Sequence, residues 1–139
     1  MDQHQQTSSK FRILGDFSNL SIGACVEIAR DPWPFFDVTG REIVLGNYVV
    51  ISSGVYIHTH SHQFNKSNWR KLPKIIDDEQ TIICDYAFIG VNAQIMPSCK
   101  YIGLHSVVAA GAVVTKDIPD YEIWAGNPAF KIGDVEKGD

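Results

Sequence analysis

Three histidines alternate in the run His58-Thr59-His60-Ser61-His62. In an extended segment alternate residues share a face, so this spacing sets imidazoles in a row. Imidazole has an unperturbed pKa of about 6.5, so it can take and return a proton at working pH or ligate a metal. Two chemistries follow: a general base acting on a hydroxyl, or a metal centre. Direction argues against the second. One strand aims its alternate side chains in parallel, whereas a tetrahedral ion needs them to converge. No metal is expected. The plain structural reading of any one of these histidines is a ring that stacks or hydrogen-bonds.

The elements that must position the row are visible on both sides of it. From Ile83 onward bulky aliphatics recur at Ile83, Ile89, Ile95, Ile102, Val108 and Val114, and a small or slim residue follows each at the fourth place, as Ala87, Ala93, Cys99, Ser106, Ala112 and Ile118. Helices repeat at three and four residues and half-buried strands at two. A beat of six fits a short strand, a turn and another strand, which marks a parallel β-helix whose coils must stack to bury their apolar faces. The same beat runs earlier through Leu45, Ile51 and Ile57, with Val49 and Val55 between, and first around Ile22 and Ile28. Glycines after the aliphatics, as in Ile89-Gly90, suit tight bends with positive φ.

Two stretches break the beat. Residues 63–81 carry no repeat and are polar, basic and aromatic, with Trp69 among Lys66, Arg70, Lys71 and Lys74. Long loops inside a compact domain are usually lids or binding loops, so an excursion from the coil is expected here, its cations facing a phosphorylated ligand or water. Arg30-Asp31-Pro32-Trp33-Pro34-Phe35-Phe36-Asp37 has two prolines and three aromatics and reads as a loop or an irregular side. Trp33 and Phe35 there, with Trp69, are candidates for packing on a sugar acceptor. The alternative for the first two is a plug at the open end of the solenoid or a subunit contact.

At 139 residues the chain is one domain, 1–139, with a polar arm over 1–10 and a charged tail over 133–139. A net charge of −4 gives no reason to expect nucleic acid or an anionic membrane as partner. Cys25, Cys84 and Cys99 form no close pair and read as free thiols of a reducing compartment. No apolar run reaches the roughly 18 residues of a membrane span, and no signal segment opens the chain, so a cytoplasmic location is expected.

Three motifs carry a resemblance: Ala87-Phe88-Ile89-Gly90, the run from Ala109-Ala110-Gly111 to Thr115-Lys116-Asp117-Ile118-Pro119, and Ala125-Gly126-Asn127-Pro128-Ala129. Over about residues 43–132 the chain resembles the hexapeptide-repeat acyltransferases, above all the maltose, galactoside and polysaccharide O-acetyltransferases. The resemblance implies an all-β fold, a single-stranded left-handed parallel β-helix, and acetyl-CoA held in a groove between subunits of a homotrimer. It places the catalytic histidine where the long loop leaves the coil, which His62-Gln63-Phe64-Asn65 matches and His60 matches less well. It implies cofactor contacts at Val91, Ala110, Thr115 and Lys116. After Asn-Pro-Ala the family usually has Lys or Arg; here Phe130 stands there and the charge follows at Lys131. The reaction implied is acetyl transfer to a sugar hydroxyl with histidine as base. Acetylation of an amino sugar, or a non-catalytic β-helix scaffold, are the alternatives left open.

Overall fold

The computed structural model describes residues 5–7, 11–75 and 79–138. The chain winds as a single-stranded left-handed parallel β-helix. Its first coil holds β2 (Arg12–Leu14), β3 (Leu20–Ile22) and β4 (Glu27–Ile28), preceded by β1 (Gln5–Thr7), which pairs antiparallel with β2. The next holds β5 (Phe35–Asp37), β6 (Ile43–Leu45) and β7 (Val50–Ile51). Then come β8 (Tyr56–Ile57), the excursion, β9 (Thr81–Ile83) and β10 (Phe88–Ile89), followed by β11 (Gln94–Ile95), β12 (Tyr101–Ile102) and β13 (Val107–Val108). The last turn holds β14 (Val113–Val114), a bridge from Ile118 to Ile102, and the hairpin of β15 (Glu122–Gly126) with β16 (Ala129–Asp134).

Stacking gives three faces. Face 1 is β1-β2-β5-β8-β11-β14, face 2 is β3-β6-β9-β12, and face 3 is β4-β7-β10-β13-β15-β16. Parallel register sets each inward aliphatic on the one a coil away: Phe36, Ile57, Ile95 and Val114 on face 1, Ile51, Ile89 and Val108 on face 3, Leu45, Ile83 and Ile102 on face 2. None of these is more than 2 % exposed. Burying each contributes about 1.5–3 kcal/mol relative to exposure, which is what holds so short a solenoid together. The slim residues at the fourth place, from Ala87 to Ala112, are fully buried at the corners, whereas Ile118 is buried as the partner of Ile102 on face 2.

Several expectations are corrected. The stretch to Asp37 is not wholly loop: Phe35–Asp37 is a buried strand, because Phe36 supplies the inward residue that the beat demands there. The excursion closes before Thr81, whose side chain is buried at the start of β9. Glycines after the aliphatics are not there for positive φ. Corners adopt it at Tyr48, Tyr86, Asn92, His105 and Tyr121, and the rings of Tyr48, Tyr86, His105 and Tyr121 stack at 4.5–5.0 Å along the edge between faces 2 and 3. Gly90 is needed for clearance instead, since a Cβ on it would come within 2.6 Å of the Ala110 backbone nitrogen. Of the expected arm, only residues 5–7 fall among those described, and the tail begins after β16 rather than at Gly133. Among the described residues no helix is long and apolar enough to cross a membrane.

Candidate active site

The histidine row leaves β8 along the edge between faces 1 and 2, and its rings diverge. His58 Nε2 meets Gln94 Oε1 at 2.8 Å, and the ring stacks on Tyr56 at 3.8 Å. Burial pushes the His58 imidazolium below its ordinary pKa, partly offset by the Gln94 hydrogen bond. His60 turns toward the coil above, where Nδ1 lies 2.6 Å from Asp37 Oδ2 and 2.9 Å from Thr39 Oγ1. His62 stands at the mouth of the excursion. Its ring meets that of His60 edge-on at 5.7 Å and that of Trp69 at 5.3 Å. Because the rings serve different partners, they do not form a metal cage. Among the described residues no three His, Cys, Asp or Glu side chains converge on an ion site.

Asp37 is the residue that the sequence reading missed. Its side chain is almost fully buried and accepts hydrogen bonds from Thr39 N at 3.0 Å, Thr39 Oγ1 at 2.6 Å and Thr59 N at 3.3 Å besides the imidazole. Burial alone would raise the carboxyl pKa, but the Thr39 and Thr59 hydrogen bonds, aided by His60, hold it below the ordinary value. An ionised carboxylate only accepts, so the hydrogen sits on His60 Nδ1 and Nε2 is left as the basic nitrogen. Thr59, buried, donates to the Asp37 carbonyl at 2.7 Å and accepts from Gly40 N at 3.0 Å. Gly40 must be glycine, because a Cβ would lie 2.0 Å from the Thr59 carbonyl. The register of Phe36 on Ile57 puts Asp37 one coil above the histidines, a pairing that only the fold reveals.

Beneath the excursion lies a cavity of about 400 Å³ whose lining includes Ser61, Phe64, Ile75, Met96, Pro97 and Thr115 together with the cations Arg41 and Lys100. Ile75 closes it by pairing antiparallel with Ser61. Thr115 is tied to it through its carbonyl, which accepts from Ser98 Oγ at 2.7 Å. Val91 and Ala110 lie elsewhere, on the turns where face 3 leads into face 1, with Gly111 N bonded to the Val91 carbonyl at 2.8 Å. Within the chain face 1 therefore separates Val91 and Ala110 from Thr115, Lys116 and the histidines. Trp33 and Phe35 are also apart from His62. The Trp33 carbonyl accepts from the Arg12 guanidinium at 2.9 Å, and Phe35 lies buried between Arg12 and Tyr56. Only Trp69 of the three expected acceptor residues is brought to the histidines.

CapG of Staphylococcus aureus is 43% identical over 97 residues, covering 68% of this chain and 54% of CapG. Galactoside O-acetyltransferase of Lactococcus lactis is 30% identical over 102 residues, covering 71% of this chain and 48% of that enzyme. The hexapeptide-repeat acetyltransferase VCA0836 of Vibrio cholerae superposes with a TM-score of 0.70 at 27% identity, over 86% of this chain and 64% of its own. A galactoside acetyltransferase in complex with coenzyme A gives 0.69 at 26%, over 86% and 56%. In sequence and in fold the chain is similar to hexapeptide-repeat acetyltransferases. It spans about half the length of the relatives it matches by sequence. No protein-family model matches it.

At its C-terminal end the chain departs from the motif of the proteins it resembles. Lys131 is engaged on both sides, its Nζ 2.9 Å from Asp134 and 3.3 Å from Glu122, which raises its pKa. Its charge is thereby countered within the chain. Lys116 instead lies against the ring of Phe130.

Proposed function

We propose that this chain is an acetyl-CoA-dependent O-acetyltransferase acting on a sugar hydroxyl, working as a cytoplasmic homotrimer. The observation that carries the reading is the cavity that runs from Ser61 and Phe64, beside the histidines, down to Thr115. Its apolar walls suit a pantetheine arm, and Thr115 lines it, with Lys116 next in the chain as a cation for the nucleotide phosphates. Bound acetyl-CoA supplies an activated acetyl thioester. His62 takes the proton from the acceptor hydroxyl as that oxygen attacks the thioester carbonyl, then returns it to the departing sulfur. Base catalysis of this kind is worth about 10²- to 10⁴-fold. A backbone N–H is the expected donor to the oxyanion. Trp69, in contact with His62, offers a ring for the acceptor.

The split across face 1 supports an assembly of several copies, as the homotrimer reading requires. Val91 and Ala110 on one edge and Thr115, Lys116 and His62 on the other can line one groove only when two copies meet. A second reading of the base, His60, is favoured by its Asp37 hydrogen bond, which orients the ring and fixes its tautomer. His60→Ala and His62→Ala assayed side by side separate the two, because the base variant loses turnover while the other keeps most of it.

An acceptor screen with acetyl-CoA, read as release of free thiol, tests the function. Turnover on mono- or oligosaccharides is expected. Turnover confined to amino sugars, rising as the amine deprotonates, would shift the reaction to N-acetylation. Absence of transfer together with no CoA-induced thermal shift would leave a scaffold.

A further inference from the structure

Cations gather around the histidines of a chain whose net charge is −4. Arg41 is the first. It follows Gly40, which is packed so closely that a Cβ there would lie 3.0 Å from His60 Cβ, and it is only 8 % exposed. Its Nη1 donates to Thr81 Oγ1 at 3.2 Å, which holds the guanidinium in the wall of the cavity beneath the excursion. Arg70 is the second. Its Cζ stands 5.0 Å over the Trp69 ring, the same ring that meets His62 at 5.3 Å. Residues 63–75 carry four cations, Lys66, Arg70, Lys71 and Lys74, and no acid. Among the described residues none of these four makes an ion pair. Lys100, also in the cavity wall, is paired with Glu79 at 3.1 Å. Asp37 is buried behind His60 and directs its charge to Thr39, Thr59 and the imidazole.

A guanidinium presents five donors in a planar fork that matches carboxylate or phosphate oxygens two at a time. Such charge-assisted pairing is strongest where water is excluded, as in the cavity wall. We infer that the acceptor is an anionic sugar, whose carboxylate or phosphate is held by Arg41 and Arg70 while its hydroxyl faces the histidines. This rests on the sugar-acceptor reading above and narrows it. Arg41 and Arg70 are then specificity residues. They select the acceptor by its charge and take no part in the proton transfer. Arg41 reaches the ligand from the coil and Arg70 from the excursion. Salt screens the exposed Arg70 more than the buried Arg41.

Kinetics on the full chain with matched acceptors at saturating acetyl-CoA test the inference: glucose against glucuronate and glucose 6-phosphate, and the same three forms in the galactose series. In wild type, kcat/KM should favour the acid or the phosphate ester over the neutral sugar by roughly 10- to 100-fold, as expected for a hydrogen-bonded ion pair. Which of the two leads identifies the anion. Arg70→Ala should reduce that ratio about tenfold, mainly through KM, and Arg70→Lys should restore most of it. Arg41→Gln should reduce the ratio as well. Arg70, on an exposed loop, keeps the test decisive if the Arg41→Gln protein does not fold. Added salt should lower the wild-type ratio. Equal turnover of neutral and anionic sugars by wild type would overturn the inference, as would an unchanged ratio in Arg70→Ala. So would a raised KM for acetyl-CoA in these variants with the acceptor ratio intact, which would give the cations to the donor's phosphates. A wild-type protein that acetylates no sugar removes the acceptor reading itself, an outcome distinct from the absence of a charge preference.

Discussion

Asp37→Asn keeps the shape of the buried carboxylate and removes its charge. The wild-type oxygens accept four hydrogen bonds, from Thr39 N, Thr39 Oγ1, Thr59 N and His60 Nδ1. An amide can keep those at one oxygen. Its NH₂ then faces donors at the other, including Thr59 N, which is left without its partner. Hydrogen bonds to a charged group are worth about 1.5–3 kcal/mol, and a stranded buried donor costs about 1–3 kcal/mol. The expected loss is therefore about 2–4 kcal/mol at pH 7. The pH dependence has a definite sign. The folded-state pKa of Asp37 lies below the ordinary carboxylate value, so the unfolded chain binds the proton more readily and stability rises with pH. This contribution is complete above the unfolded value and is lost as pH falls through the folded one. Urea unfolding at fixed protein concentration, followed by far-UV circular dichroism at pH 7 and near pH 3, reads it. The gap between wild type and variant should be wide at pH 7 and narrower at pH 3. A variant as stable as wild type at pH 7, or a gap that does not close in acid, would refute the reasoning.

The other outcomes are more local. Ile95→Ala, deep between Ile57 and Val114, should cost about 2–5 kcal/mol in the same unfolding experiment. His58 is held neutral by burial, so its stabilising contribution is present above the ordinary histidine pKa and fades as pH falls through its lowered one. His58→Gln should accordingly shrink the stability lost between pH 7 and pH 5. Cys99 is buried with its thiol pKa pushed up to about 12, mainly by burial, whereas Cys25 is exposed. Iodoacetamide at pH 8 should label Cys25 in the native protein and reach Cys99 only after unfolding, as mass spectrometry of the digest would record.

The coil was legible because its period is written directly in side-chain size. Each aliphatic of the six-beat from Ile83 to Val114 sits on its counterpart a coil away, and the small residues from Ala87 to Ala112 fill corners. The excursion was legible from the loss of that beat after His62. Asp37 was not, because its partner is a coil away and only the register of β5 on β8 brings the two together. The prolines and aromatics before it also masked a strand, since Phe36 is both an irregular residue in the sequence and the inward residue of face 1. Phe35 shows the converse error. An aromatic beside charges reads as a sugar platform, yet the Arg12 guanidinium and Tyr56 cover it. At the glycines the composition was right and the reason was wrong, because close coil contact at Gly90 and Gly40 demands them rather than backbone hand.

The proposed reaction needs a histidine at the mouth of the excursion that acts where the thioester is attacked. Its most direct test is turnover of wild type and His62→Ala with acetyl-CoA and the preferred acceptor, with CoA affinity measured on the same preparations. The account predicts that turnover falls by about 10²- to 10⁴-fold while CoA affinity is kept. Undiminished turnover in a folded His62→Ala protein would contradict it.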